Sequence, residues 1–155
     1  MPLTVVLGFG NVLLSDDGAG VHVMAQLRTE LGSGAANFID AGTLSFSLLS
    51  LLEATDSMLA VDAAELNAPP GTIALYENAA MDQHLQSTRR RTVHEVGLID
   101  LLDMARLRDC LPARRALLCI QPHRIDWSES LSAAVAAIVP EAGALAAALL
   151  ERWNA

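Results

Sequence analysis

The chain of 155 residues has no lysine, only two cysteines, one tyrosine and two tryptophans, and it sets ten arginines against eighteen acidic residues. Each shortage excludes something. Without lysine there is no Gly-Lys-Ser/Thr phosphate-binding loop. A formal net charge of −8 has the wrong sign for nonspecific nucleic-acid binding or a polybasic membrane anchor, both of which need a positive field. Cys110 and Cys119 make neither a CxxC pair nor a disulfide framework, and read as reduced core thiols. The N-terminal MPLTVVLGFGN lacks the basic n-region and long apolar h-region of a signal peptide, and Asp16 follows too soon for a membrane span. The apolar AGALAAALLERW near the C-terminus is too short to cross a bilayer and is expected to pack on the domain. A cytoplasmic location follows from these absences, with neither nucleic acid nor membrane as partner.

What is present suits a core. Hydrophobic residues make up 52% of the chain and charged ones 18%, which excludes disorder, and the length fits one domain spanning residues 1–155. Short apolar runs bounded by turn residues occur at Leu3–Leu7, Asn37–Ile39, Met58–Val61, Thr72–Tyr76 and Ala116–Ile120, and read as strands. Val21, Met24, Leu27 and Leu31, then Leu44, Leu48, Leu51 and Leu52, recur at helical spacing between the first three of them. Strand alternating with helix predicts an α/β fold, a single three-layer domain. Its twisted five-stranded sheet is mostly parallel and carries helices on both faces. The linker AAELNAPPG is too short for a crossover helix, so the fourth strand is expected to be antiparallel and toward an edge. Residues 77–92 show no clear period and are expected to be an irregular binding loop. A helix is predicted over Glu95–Arg106, then a strand, a loop at Gln121–Trp127, and a helical region broken or kinked at Pro140.

The segment VVLGFGNVLLSDDGAG is the most informative. It reads as strand, glycine turn, then a helix starting near Ser15-Asp16-Asp17. A dinucleotide fingerprint would need a third glycine where Leu13 stands. Two carboxylates at a helix start would also repel a phosphate and could attract a cation. Capping and dipole neutralisation are the ordinary roles of acids there. In an open α/β sheet, however, ligands bind beyond the carboxyl ends of the strands where the winding reverses. If the sheet order runs 2-1-3, Asp62 ends the third strand beside the Asp16-Asp17 turn, and Asp40 ends the second on the same rim. Three acids at three strand ends need a positive partner, and a metal ion is the simplest. His94 offers a neutral nitrogen ligand. His22 and His84 read as surface or capping residues, and His123 could line the rim. There is neither HExxH nor GxSxG.

With these residues assembled, the chain closely resembles the nickel-iron hydrogenase maturation endopeptidases. The match is carried by Gly8-Phe9-Gly10-Asn11 running into Asp16-Asp17-Gly18 and Gly20, then Asp40-Ala41-Gly42-Thr43, Val61-Asp62-Ala63, and His94 followed by Gly97-Leu98. Order and spacing agree over about residues 3–125. The resemblance implies a cytoplasmic protease that removes a C-terminal extension from the precursor of a nickel-iron hydrogenase large subunit after nickel insertion. It implies Asp17, Asp62 and His94 as metal ligands, with the nickel supplied by the substrate. Asp17 and Asp62 are also expected to be the catalytic acids, either of which could activate water, and Asp40 is expected to have a supporting or catalytic role. Some members carry Glu where this chain has Asp17, one methylene longer. A non-enzymatic nickel-binding or nickel-delivery module with the same ligands is the alternative, and a monomer is compatible with either.

Arg89-Arg90-Arg91 is the one dense basic run, on a segment that reads either as a solvated loop or as a dock for a carboxylate-bearing part of the substrate beside His94. On the docking reading, replacing the three arginines weakens precursor binding and its salt sensitivity together. A salt titration of affinity checks this, and an unchanged slope removes the proposal.

Overall fold

Continuous apolar runs form strands buried on both faces when they sit inside a parallel sheet. That pattern holds for β1 (Thr4–Gly8), every residue of which is buried, and nearly so for β3 (Ser57–Ala63). The structure, a computed structural model, describes residues 3–42, 47–88 and 93–155. Between β1 and β3 run α1 (Ala19–Leu31), β2 (Asn37–Asp40) and α2 (Ser47–Glu53). After them come β4 (Ile73–Glu77), α3 (Ala79–Thr88), α4 (Val93–Leu107), β5 (Arg114–Ile120), α5 (Ala133–Ala136) and α6 (Val139–Asn154).

The five strands make one sheet in the order β2-β1-β3-β5-β4. All pairs are parallel except β4 with β5. The mixed sheet, its 2-1-3 reversal and the antiparallel edge strand are as the sequence leads one to expect. Register sets the functional rim: Gly8 pairs with Asp40 on one side and Val61 on the other, and Asp62 pairs with Cys119.

The two-residue period of the strands divides the core into two layers. Val6, Leu59, Val61, Leu118 and Ile120 pack with α1 and α6, while Val5, Leu7, Met58, Ala60, Leu117 and Cys119 pack with α2, α3 and α4.

One expectation is corrected. Much of the 77–92 segment is helix, because Met81, Leu85 and Thr88 are buried at helical spacing along α3. The period is hidden by polar residues that have tertiary partners. Asp82 accepts hydrogen bonds from Arg115 Nη2 at 2.6 Å and Nε at 3.0 Å, and His84 stacks on Tyr76 with centroids 4.0 Å apart. The Arg115 guanidinium, against the opposing effect of burial, holds the Asp82 carboxyl below the usual aspartate value. At Pro140 the helical region is broken, one of the two outcomes expected there, into α5 and α6. The proline lies in the first turn of α6, where its missing N–H has no intrahelical acceptor to lose, and the break falls just before it.

The stretch Ala133–Asn154 spans 22 residues and contains an 18-residue window with a mean hydropathy of 1.9, long and apolar enough to cross a membrane. Its Val135, Ala142, Ala146 and Leu149 are instead wholly buried in the core layer shared with α1 and the sheet.

The start of α1 presses on the strand ends through a glycine. A Cβ at Gly20 would lie 2.0 Å from the Val61 carbonyl oxygen and 2.7 Å from that of Phe9. Gly20→Ala should therefore cost about 3 kcal/mol and lower Tm by roughly 6–12 °C at this chain length. Gly34→Ala, whose Cβ would meet nothing within 4 Å, is the control expected to leave the melt in place.

Candidate active site at the carboxyl edge of the sheet

The site begins where β1 runs out. Gly10 has φ of +107°, and a Cβ there would lie 1.8 Å from the Asp17 carbonyl oxygen, so the backbone folds back on itself at a point that only glycine permits. Asn11 shapes the return: its Oδ1 accepts from Leu13 N at 2.9 Å and its carbonyl from Leu14 N at 3.0 Å. A 3₁₀ turn, Ser15–Gly18, then feeds α1. Neither acid of this turn caps a helix. Asp17 is 4% exposed, and its Oδ2 accepts from the backbone N–H of Asn11 at 2.9 Å. The turn thus orients one carboxylate oxygen from the side of β1.

Asp16, fully buried, is committed elsewhere. Its Oδ2 accepts from His123 N at 2.9 Å, Arg124 N at 3.1 Å and Ser132 Oγ at 2.7 Å, and its Oδ1 from Ser132 N at 2.8 Å. Burial alone would raise its pKa, but these donors outweigh it, Ser132 foremost, and hold the carboxyl below the usual aspartate value. Asp16 is a clamp on the loop after β5. The same loop is stitched to the glycine turn by Ser15 N to Ser128 O at 2.8 Å, Ser128 N to Leu13 O at 3.0 Å and Ser15 Oγ to Ser130 O at 2.8 Å. Sequence reasoning did not find this clamp; the alternation Ser128, Ser130, Ser132 beside the turn is the signal that was available.

Asp62 is 5% exposed at the end of β3. By strand period it shares the face of Met58 and Ala60, the one that α4 covers. Helix α4 leads into β5, which is parallel to β3, so α4 runs against the strands and its first turn stands at their carboxyl ends. That turn contains the His94 backbone; the His94 side chain, like Arg89–Arg91 and Thr43, lies outside the described residues. Backbone closeness joins the Asp17 turn to the Asp62 strand, since Gly20 rests on the Val61 carbonyl and Phe9 N donates to it at 2.9 Å.

Asp40 ends β2, exposed, with Oδ1 accepting from Gly42 N at 2.9 Å. Strand period puts it on the face of Phe38, opposite to that of Asp62. It lines an open cleft of about 520 Å³ together with Gly10, Asn11, Val12 and Gly42. Among the described residues no three His, Cys, Asp or Glu side chains gather as a ligand set. His22 and the exposed His123 bring no ring to one, although the His123 backbone holds Asp16.

Buried carboxylates aimed from a rigid turn and a strand end are oxygen donors of fixed position, and an imidazole on α4 would add the nitrogen that suits borderline metals such as nickel. The cleft lined by Asn11, Val12 and Asp40 adjoins the turn that orients Asp17.

A family profile described as hydrogenase maturation protease matches residues 21–149. The hydrogenase expression/formation protein HoxM of Cupriavidus necator is 30% identical over 154 residues, covering 98% of this chain and 76% of that protein. A hydrogenase 2 maturation peptidase from Thaumarchaeota archaeon SCGC_AB-539-E09 is 30% identical with a TM-score of 0.72, over 96% of this chain and 97% of that one. The hydrogenase maturating endopeptidase HybD from Escherichia coli, at 24% identity, shares the fold with a TM-score of 0.86 over 97% of this chain and 93% of that one.

Asp16→Asn replaces an acceptor-only carboxylate by an amide whose NH2 faces donors, and should cost about 2–4 kcal/mol at neutral pH in denaturant melts. Because the folded-state pKa is depressed, the contribution of Asp16 is present above the unfolded value of 3.8 and is lost as pH falls through the folded one. The gap between wild type and variant should thus narrow as pH falls below 3.8; a gap of constant size would show that ionisation of Asp16 contributes nothing.

Proposed function

The chain belongs to the hydrogenase maturation protease family, and on that premise we propose that it acts in the cytoplasm on the precursor of a nickel-iron hydrogenase large subunit. There it cleaves off the C-terminal extension once nickel is in place. The observation that carries this reading is the burial of two carboxylates, Asp17 and Asp62, on segments joined by backbone contact at the carboxyl edge of the sheet, with an open cleft at the Gly10–Val12 turn that orients Asp17.

Hydrolysis of a peptide bond adds a water oxygen to the carbonyl carbon, breaks the C–N bond and delivers a proton to the departing amine. No Ser, Thr or Cys appears among the described residues lining the cleft, so water is the nucleophile on this reading. Nickel carried by the precursor supplies Lewis acidity at the scissile bond. Asp17 and Asp62, with His94, bind that metal as part of the substrate. Their three-ligand set leaves positions for donors from the precursor itself. Asn11 keeps Asp17 in one orientation through its N–H, which matters because the shorter aspartate side chain has less reach than a glutamate. A carboxylate not engaged by metal accepts the proton of the attacking water and returns it to the leaving nitrogen. Asp40, turned back on Gly42, lines the cleft, where it can orient the extended chain or share the proton transfer.

Recognition through a metal already in the substrate would give the enzyme a built-in check. Two acids and one imidazole leave coordination positions for the precursor's own donors, so a precursor without nickel lacks the ion that joins the two proteins.

A gel-mobility assay with purified precursor tests the proposal: a short C-terminal peptide should be released from nickel-loaded precursor and not from nickel-free precursor. Asp17→Asn, Asp62→Asn and His94→Ala should each abolish release, with thermal melts showing that the variants still fold. Normal processing by any one of them removes its assigned role, and stable association without cleavage by the wild-type chain argues for a delivery module instead.

A further inference from the structure

Eight large hydrophobic side chains stand exposed among the described residues, and four of them, Val12, Leu13, Ile125 and Trp127, lie on two segments that are stitched together. The stitching is a parallel bridge between Leu14 and Ser128, with Ser128 N donating to Leu13 O at 3.0 Å and Ser15 N to Ser128 O at 2.8 Å. The other four, Leu3, Leu31, Leu107 and Leu145, stand singly on different parts of the chain, which is ordinary for a protein surface. An 81% exposed tryptophan beside a 55% exposed isoleucine is not ordinary, and here both sit on a segment whose backbone is held by Asp16 on one side and the glycine turn on the other.

We propose that Val12, Leu13, Ile125 and Trp127 form a preassembled apolar platform that docks an apolar segment of the protein substrate next to the bond to be cut. The proposal rests on the reading of the adjoining cleft as the site of proteolysis, and its occupant follows from continuity. Val12 belongs to both surfaces, lining the cleft with Asp40 while standing exposed beside Leu13. A chain threaded through the cleft past Val12 meets the platform next.

Charge does not compete for the role. Arg124 Nε lies 3.5 Å from Asp126 Oδ1, so the one basic side chain of the loop is balanced locally, and Glu129 adds an acid. Acids flanking Trp127 also speak against an anionic lipid surface as occupant. Rigidity favours the role in turn, because aromatic side chains on a backbone already ordered lose little freedom on docking and serve as anchors in interfaces. The clamp at Asp16 thereby gives the adjacent acid, Asp17, and the platform a common support, so that a segment seated on Trp127 arrives in register with the carboxylates.

Contacts of this kind, remote from the reacting atoms, act equally in the ground and transition states and should appear in KM. Steady-state processing of nickel-loaded precursor by Trp127→Ala, Ile125→Ser and Leu13→Ser should show KM raised about tenfold or more with kcat retained. Trp127→Phe should restore most of the affinity. Leu107→Ala, on the far end of α4, is the control for loss of an exposed apolar side chain. Thermal melts of the variants should match the wild type, since the replaced side chains lie in solvent. If the wild-type chain does not cleave the precursor at all, the reading of the cleft fails. If it cleaves and all three variants keep the wild-type KM, the platform fails while that reading stands. A wild-type dimer that Trp127→Ala converts to monomer in light scattering would assign the platform to self-association, and binding of wild type but not Trp127→Ala to neutral phosphatidylcholine vesicles would assign it to a membrane; either overturns the proposal.

Discussion

Four donors converge on the buried carboxylate of Asp16, and the arrangement of the whole carboxyl edge follows from that convergence. Taking a carboxylate out of water is costly unless every lone pair is answered, and here backbone N–H groups and a serine hydroxyl from a segment more than a hundred residues away answer it. The depressed pKa is the signature of that compensation. Because the donors belong to the start and end of the loop after β5, the loop between them is drawn across the glycine turn and bonded to it at Ser128 and Ser130. Turn, loop and the first turn of α1 are one mechanical unit.

Inside that unit, adjacent acids do opposite work. In a 3₁₀ turn successive side chains point about 120° apart, so Asp16 faces the loop while Asp17 faces the turn after β1. One is saturated by hydrogen bonds and removed from chemistry. The other is oriented by the Asn11 N–H at a spot where the backbone of Gly10, Gly18 and Gly20 comes too close to its neighbours to carry a side chain. The glycines are spent on bringing an acid-bearing turn down onto the ends of β1 and β3, which is why the acids reach the sheet edge at all.

Legibility in the sequence tracked how local each determinant is. The strands, α1 and the order β2-β1-β3 could be read because apolar runs and helical spacing are properties of short windows, and right-handed crossovers leave few topologies. Helix α3 was missed because its apolar stripe is only Met81, Leu85 and Thr88, while Asp82 and His84 look like solvent-facing residues until Arg115 and Tyr76 arrive from other elements. Pro140 pointed to a break, but whether a proline ends, bends or begins a helix depends on the residues packed before it. At the site, the acidic pair was legible as a pair and not as two separate roles, since only the loop from the far end of the chain distinguishes them.

By itself the sequence determined the fold class, the strand ends that carry Asp40 and Asp62, and the acidic turn with Asp17 that follows β1, because alternation, glycine spacing and turn chemistry act within a few residues. Tertiary structure alone decided which acid is bound by the loop after β5 and which by the turn after β1, which face of the sheet each strand-end acid takes, and that the segments carrying the exposed apolar residues 12, 13, 125 and 127 are bonded to each other. The physical reason is range. Hydrogen bonds that satisfy a buried charge, and the strand register that sends Asp62 toward α4, join residues whose proximity no local pattern encodes.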